Sequence, residues 1–400
     1  MYNSDPPNKK TLWEGHRSIR MKAFDYKNLK TIAEEILLVN GGTDTSKHPV
    51  WIEGPHLYQI NNWYYLMCAE GGTGDNHSEV IFRSKNVNGP FESYHKNPIL
   101  TQRHLNPNRP FPITTTGHAD LVSTPDGKWF AVFLACRPYY DNHFNIGRET
   151  FMAPITWTHD GWPLITSDTQ LVKYEYPLPL PKLGKLKPSL FSGNFSYKID
   201  FKEPILDKRA VFLRTITDKW YNINPQKGIL AIRLQPETVS GTGNPSFIGF
   251  RQQHNNYTAT VALDFLPISD NEKAGLTIFQ SENNFYYLCK SLEAEKPVIQ
   301  LYKASKANGE MTLLASKNLK TNDAKLFLKI AQNGALYHCD YSADNKKWGN
   351  IGSVDATFLS TKNAGGFVGC IFGMYATSLS FPSNSKAYYN WFSYIGNASF

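Results

Sequence analysis

The sequence predicts an all-β protein in two parts, a set of repeated short-stranded units followed by a longer-stranded β-sandwich. Three observations predict it. Residues 1 to about 175 carry short strand patterns broken by turns, a strand–turn–Trp unit recurs among them, and longer alternating strands begin near residue 195. No helix of useful length is expected. Four hundred residues exceed one compact core of usual size, which agrees with two domains.

Residues Ser18 to Phe24 alternate, with Ile19, Met21 and Ala23 on one face. A hairpin is expected from Pro55 to Ala69 through Asn61-Asn62, and a second from His118 to Ala135 through Asp126-Gly127, read as a type I′ dipeptide. Trp63 and Trp129 each follow such a turn, 66 residues apart, and a third unit runs from Trp157 to Trp162 across Asp160-Gly161. Four short strands per repeat at that period read as β-propeller blades. Pro177, Pro179, Pro181 and Pro188 each remove a ladder donor, so residues 176–194 read as a linker between domains 1–175 and 195–400. Beyond it, strands are expected at 210–215, 229–234, 257–265, 274–280, 285–290, 298–302, 324–331, 336–342 and 366–374. Turns at Asn333-Gly334 and Asp344-Asn345 join neighbours. This is the pattern of a jelly-roll sandwich.

Composition excludes several functions. The net charge is +8, but Lys and Arg are scattered and the densest cluster, Lys182 to Lys187, lies in the Pro-rich connector, so no nucleic-acid partner is expected. Cys68, Cys136, Cys289, Cys339 and Cys370 form neither close pairs nor metal-ligand spacing, and free buried thiols are expected. No stretch of 18 apolar residues predicts a membrane span, and the N-terminus carries no signal-peptide pattern. Aromatic residues make up 14 %, the usual platform for sugar faces but also a common feature of strand-rich chains.

The most informative residue is Glu53, in Trp51-Ile52-Glu53-Gly54-Pro55-His56-Leu57-Tyr58. A carboxyl walled by Trp51, His56 and Tyr58 would be desolvated, which favours its protonated form and suits it to donate a proton. The octet resembles the general-acid motif of glycoside hydrolase family 43, the β-xylosidases and α-L-arabinofuranosidases. The likeness continues through Ala69 to His77, Asn97 to Thr101, Thr116 to Val122, Cys136 to Pro138, Gly147 to Phe151 and Trp157 to Pro163. Arg251 to Phe265, Ala274 to Leu288 and Gly365 to Tyr375 resemble the concanavalin-like domain that follows the propeller in the β-xylosidase branch.

The resemblance implies a five-bladed propeller and inverting hydrolysis, in which one carboxylic acid protonates the glycosidic oxygen and a base activates water opposite. It makes Glu53 the general acid and Arg148 an arginine at the base of the sugar pocket, the alternative being an ion pair with Glu149 or Asp141. His118 matches a histidine on the propeller axis, beside calcium in some members, the alternative being a hydrogen-bonded core histidine. Thr73 matches a pocket-lining residue. Phe367 matches an aromatic that the sandwich extends toward the sugar, the alternative being a core Phe. Asp75, His77 and Glu79 suggest a metal cluster by composition, but their Gly-rich setting reads better as a solvated connection. No cofactor is required, with a structural calcium ion near His118 the one candidate.

The family's two catalytic aspartates precede the acid motif, and here only Asp5, Asp25 and Asp44 precede Glu53, none in a family catalytic setting. A closed propeller needs about four to eight blades, and the first 175 residues supply fewer than three. The chain is therefore expected to correspond to the C-terminal part of a family enzyme, its first two blades absent, and the missing signal peptide then says nothing of the compartment. The expected substrates are xylan- or arabinoxylan-derived oligosaccharides. The alternative is a carbohydrate-binding or inactive remnant without turnover.

Overall fold

The computed structural model describes residues 1–166, 170–177, 191, 193–305 and 311–397. Among them helix is confined to the single turn Thr361–Ala364 and three 3-10 turns, and the rest of the regular structure is strand. Most of the predicted 176–194 linker lies outside the described residues, as do Lys182 to Lys187. Contacts divide the chain into two compact units: 1–137 with 148–187, and 138–147 with 188–400. The decapeptide 138–147, read from sequence as part of the first domain, thus packs with the second.

Four sheets and a small ribbon make up the first unit, among the described residues. Tyr2–Ser4, Ser18–Met21 and Ile36–Asn40 form one sheet. The second runs Leu100–Thr101, Ser78–Ser84, Trp63–Glu70, Glu53–Ile60, with Glu53–Ile60 on its edge. Thr114–Ser123, Trp129–Cys136 and Glu149–Pro154 form the third, and Thr156–Trp157 pairs with Pro163–Leu164. All pairings are antiparallel.

Strand Trp63–Glu70 shows why these sheets stack. Tyr65 and Met67 face Ile81, Ala119, Leu121 and Phe133, whereas Leu66 and Cys68 face the other way onto Ile19, Val39 and Ile52. Period-two alternation with both faces apolar buries a sheet between two neighbours. Leu66 and Met67 are fully buried, each stabilising the stack by roughly 1.5–3 kcal/mol through apolar area removed from water.

Turn chemistry explains two of the three Trp units differently from the third. Asn61 and Asn62 both take positive φ between Ile60 and its partner Trp63, the two-residue type I′ turn. At Asp126-Gly127 only Gly127 is left-handed, and its N–H donates to Thr124 O at 2.9 Å. Pro125 therefore sits at the second position of a type I turn, where its fixed φ belongs, and Gly127 forms the following bulge. The type I′ assignment is corrected on that ground. Thr158 to Trp162 repeats this arrangement, with Gly161 donating to Thr158 O at 3.0 Å.

The second unit is a sandwich of two antiparallel sheets. One runs 221–224, 229–233, 386–397, 256–264, 325–333, 336–342, 349–355, with Ser196–Ile199 also paired to Lys386–Asn397. The other runs 246–251, 371–377, 273–281, 284–293, 296–304, 311–318. Leu230, Val261, Leu263, Leu328, Ile330 and Phe392 meet Ile248, Leu276, Ile278, Leu288, Phe372 and Met374 in the core between them. The expected strand 210–215 is absent. Ala210 N–H closes a turn on Asp207, Arg214 is left-handed, and only a bridge from Val211 to Gly249 survives. The expected strand 366–374 begins at Ile371, because Gly365 and Gly366 hold positive φ ahead of it.

All five cysteines are free and buried. Burial pushes the Cys136 and Cys289 thiols up to about 12, so neither is a nucleophile at neutral pH.

Within this unit, the decapeptide 138–147 is bound by specific polar contacts. Asn145 Nδ2 donates to Tyr337 OH and to Ala356 O (2.9 Å), and Asn145 O accepts from Cys370 N–H at 2.8 Å. Gly147 and Gly369 touch backbone to backbone, since a Cβ on Gly147 would lie 2.5 Å from Gly369 N.

Candidate active site

Glu53 opens the edge strand Glu53–Ile60, half-buried and paired opposite Ala69. Among the described residues no side chain hydrogen-bonds or ion-pairs with its carboxylate, leaving it open to a ligand. The next residue is held unusually. Gly54 has φ +57, and a Cβ there would sit 2.3 Å from His118 Nε2, so the imidazole lies directly on the glycine. Only glycine accepts both that conformation and that approach.

His118 is not at a strand start, as the sequence suggested, but inside Thr114–Ser123 at an irregularity. Register jumps from Gly117 opposite Leu134 to Asp120 opposite Val132, so His118 and Ala119 together face one residue. That is a β-bulge, and His118 takes φ +55 within it. Bulges re-aim side chains, and this one directs an exposed imidazole to Gly54.

Around the bulge the polar groups are buried. His77 Nδ1 lies 3.0 Å from Thr115 O, and its Nε2 has no partner. Burial, followed by the charges of His118 and Arg148, lowers the His77 pKa to about 4, so its ring is neutral at pH 7. Glu79 is fully buried, and burial raises its pKa well above the ordinary carboxylate value. Asp75 and Asn76 are exposed on the connection, as expected, but His77 and Glu79 are not. The solvated reading is corrected for those two, which both meet the strand Thr114–Ser123 of the neighbouring sheet.

Arg148 is exposed immediately before the strand Glu149–Pro154. Arg137 holds Glu149 through two bonds of 2.8 and 2.7 Å, and Lys362 holds Asp141 at 3.2 Å. Arg148's charge reaches His77 and Cys136, which places it beside the same corner. Thr73 is half-buried in the Gly71–Asn76 loop, whose Gly72 lies next to Trp51. The structure thus brings Glu53, His118, Arg148 and Thr73 to one end of adjacent sheets.

The expected wall around Glu53 is arranged differently. Trp51 is left-handed and 40 % exposed, with the Arg17 guanidinium 4.6 Å from its ring centroid. Tyr58 OH donates to Asp120 and accepts from Leu121 N–H at 2.9 Å, and His56 Nδ1 is 3.6 Å from Asp120. These two rings are committed to Asp120, which lies within the Thr116–Val122 segment. Burial and the Asp120 hydrogen bond hold the Tyr58 phenol well above its ordinary pKa.

Phe367 belongs to the second unit and is 58 % exposed, so the core-Phe alternative is overturned by the two left-handed glycines that lift its loop off the sheet.

The three early aspartates each serve local structure. Asp5 pairs with Arg17, Asp25 accepts from the Lys27 and Asn28 N–H groups, and Asp44 caps the 3-10 turn Thr45–Lys47. A groove of about 590 Å³ lined by Asp44, His48, Glu70, Asn76 and Arg103 opens nearby, but none of the sequence-predicted site residues lines it.

Calcium takes six to eight oxygen ligands. Around His118 the side-chain donors are two imidazoles and the buried carboxyl of Glu79, and among the described residues no three His, Cys, Asp or Glu side chains converge on a metal. These side chains alone do not make up a calcium shell.

Comparison with known proteins follows the same outline. The profile of glycosyl hydrolases family 43 matches residues 1–163, and that of the β-xylosidase C-terminal concanavalin A-like domain matches residues 198–395. A xylosidase/arabinosidase of Butyrivibrio fibrisolvens is 32 % identical over 95 % of this chain and 71 % of its own length. The chain belongs to glycosyl hydrolase family 43. A non-reducing end α-L-arabinofuranosidase of Bacteroides ovatus is 34 % identical over 86 % of this family-43 chain, which spans 62 % of that relative. Among solved structures, a Bacteroides ovatus GH43B protein superposes with TM-score 0.81 at 30 % identity, covering 95 % of this chain and 71 % of its own. A family-43 protein retrieved from the capybara gut metagenome gives 0.79 at 36 %, covering 94 % and 69 %.

Proposed function

We propose that this family-43 chain binds the ends of xylo- or arabino-configured oligosaccharides, with Glu53 as the general acid of an inverting hydrolysis. The observation that carries the reading is the corner itself: an unpartnered carboxylate beside a glycine on which His118 rests, with Arg148 close by. Arg148 would bind sugar hydroxyls through its fixed fork of donors, and His118 and Thr73 would line the pocket. Phe367 is the aromatic the family likeness assigns to sugar contact. The sheets of the first unit are read as blades of a five-bladed propeller, not all of them within these 400 residues.

Inversion needs a second carboxylate, roughly 6.5–9.5 Å from the acid, to activate water. Asp5, Asp25 and Asp44 are each engaged in local ties, and the reading assigns the base to none of them. The same observation favours a second reading, a glycan-binding protein without turnover. General-base assistance is worth about 10²–10⁴-fold. The 400 residues alone are therefore expected to give no measurable release of nitrophenol from nitrophenyl β-xylopyranoside or α-L-arabinofuranoside. Release that disappears with Glu53→Gln would show that a base is present and would overturn this reading of the aspartates.

A further inference from the structure

A bulge creates a hydrogen-bonding problem. His118 and Ala119 stand between two ladder pairs, where the regular pairing with the neighbouring strand Trp129–Cys136 is interrupted. A buried backbone donor left unpaired is costly, and Ala119 is fully buried. Glu79 supplies the acceptor from the adjacent sheet. Its Oε2 takes the Ala119 N–H at 2.8 Å, and the His118 N–H is directed to the same carboxyl.

Among the described residues the Glu79 Oε1 is buried without a partner. A buried carboxyl that spends one oxygen on a bulge is expensive for simple packing, and a valine or isoleucine would fill the space at lower cost. What the carboxyl provides is a fixed backbone at His118. The φ of +55 there aims the imidazole at Gly54, whose missing Cβ leaves room for it, and Gly54 is bonded to Glu53.

We propose that Glu79 is a positioning residue for Glu53: it ties down the His118–Ala119 bulge, and the bulge sets the strand end that carries the acid. The proposal rests on the reading of Glu53 as the acid, but its structural half stands separately. Glutamine keeps a side-chain oxygen that can accept these N–H groups, whereas leucine fills the space and accepts nothing.

The test uses the whole chain with Glu79→Gln and Glu79→Leu, followed by backbone amide resonances. The expected result is that Glu79→Leu shifts the amides of His118, Ala119, Gly54 and Glu53 but not those of Gly275 and Leu328 in the sandwich. Glu79→Gln should leave all six near their original positions. Hydrogen exchange on the unaltered protein is the second measurement, with His118 and Ala119 amides expected to be protected although outside the ladder. It decides the matter should the Leu variant not fold. Unmoved Gly54 and Glu53 resonances in the Leu variant, equal shifts in both variants, or unprotected amides in the unaltered protein would each overturn the proposal. These readouts need no turnover, so a failure of Glu53 as acid would show in activity alone and leave them unaffected.

Discussion

His77 and Glu79 lie two residues apart and pull stability in opposite directions with pH. The folded His77 pKa of about 4 lies below its unfolded value of 6.5, so its contribution is full above 6.5 and is lost as pH falls toward 4. That loss is on the order of 3 kcal/mol for a shift of this size. Glu79 is raised above 4.5, so its contribution is full below that value and is lost as pH rises. Glu79→Gln should therefore stabilise the first unit at pH 8, with the gain vanishing near pH 4.5, as read by denaturant unfolding across that range. Gly54→Ala tests the neighbouring contact. A Cβ 2.3 Å from His118 Nε2 at φ +57 must displace the ring or the strand, costing about 1–3 kcal/mol in the same assay. Glu53 stands out in the sequence because its octet is continuous. Glu79 does not, because what makes it special is a donor pair on a strand forty residues away.

Strands were legible where alternation keeps one phase. Asn256–Asp264 and Leu336–Ser342 do so, and their sequences announce them. Lys386–Asn397, the strand that pairs with three others, was missed. Opposite it the register shifts between Ala262 and Leu263, so the inward set passes from Ala387 and Tyr389 to Phe392 and Tyr394. An alternation that changes phase midway, with aromatics on both faces, has no period-two signature. The docking of 138–147 was equally hidden, since it depends on one amide reaching Tyr337 and Ala356. Asn145→Ala would strand both buried acceptors and should destabilise the second unit by about 1–3 kcal/mol, read as a lowered unfolding midpoint. Asn145→Asp should cost more, because its carboxylate cannot donate to Ala356 O.

At the scale of the whole molecule, family membership and the corner around Glu53 argue for an acid, while the ties of Asp5, Asp25 and Asp44 argue against a base among them. The proposed reading, an acid without a base, would have a specific chemical consequence. Azide needs no deprotonation, so it can attack the anomeric carbon from the face opposite the leaving group. On that reading the carbon–oxygen bond would break, Glu53 would give its proton to the departing alcohol, and the glycosyl azide would form with inverted configuration. An alcohol leaving group makes that proton indispensable. The most direct measurement is therefore cleavage of xylobiose and an arabino-oligosaccharide by the 400-residue chain, with and without azide, for the unaltered protein and Glu53→Gln. The account predicts no cleavage without azide, inverted glycosyl azide with it, and no product from Glu53→Gln. Azide-supported cleavage that survives Glu53→Gln, or a product of retained configuration, would contradict it.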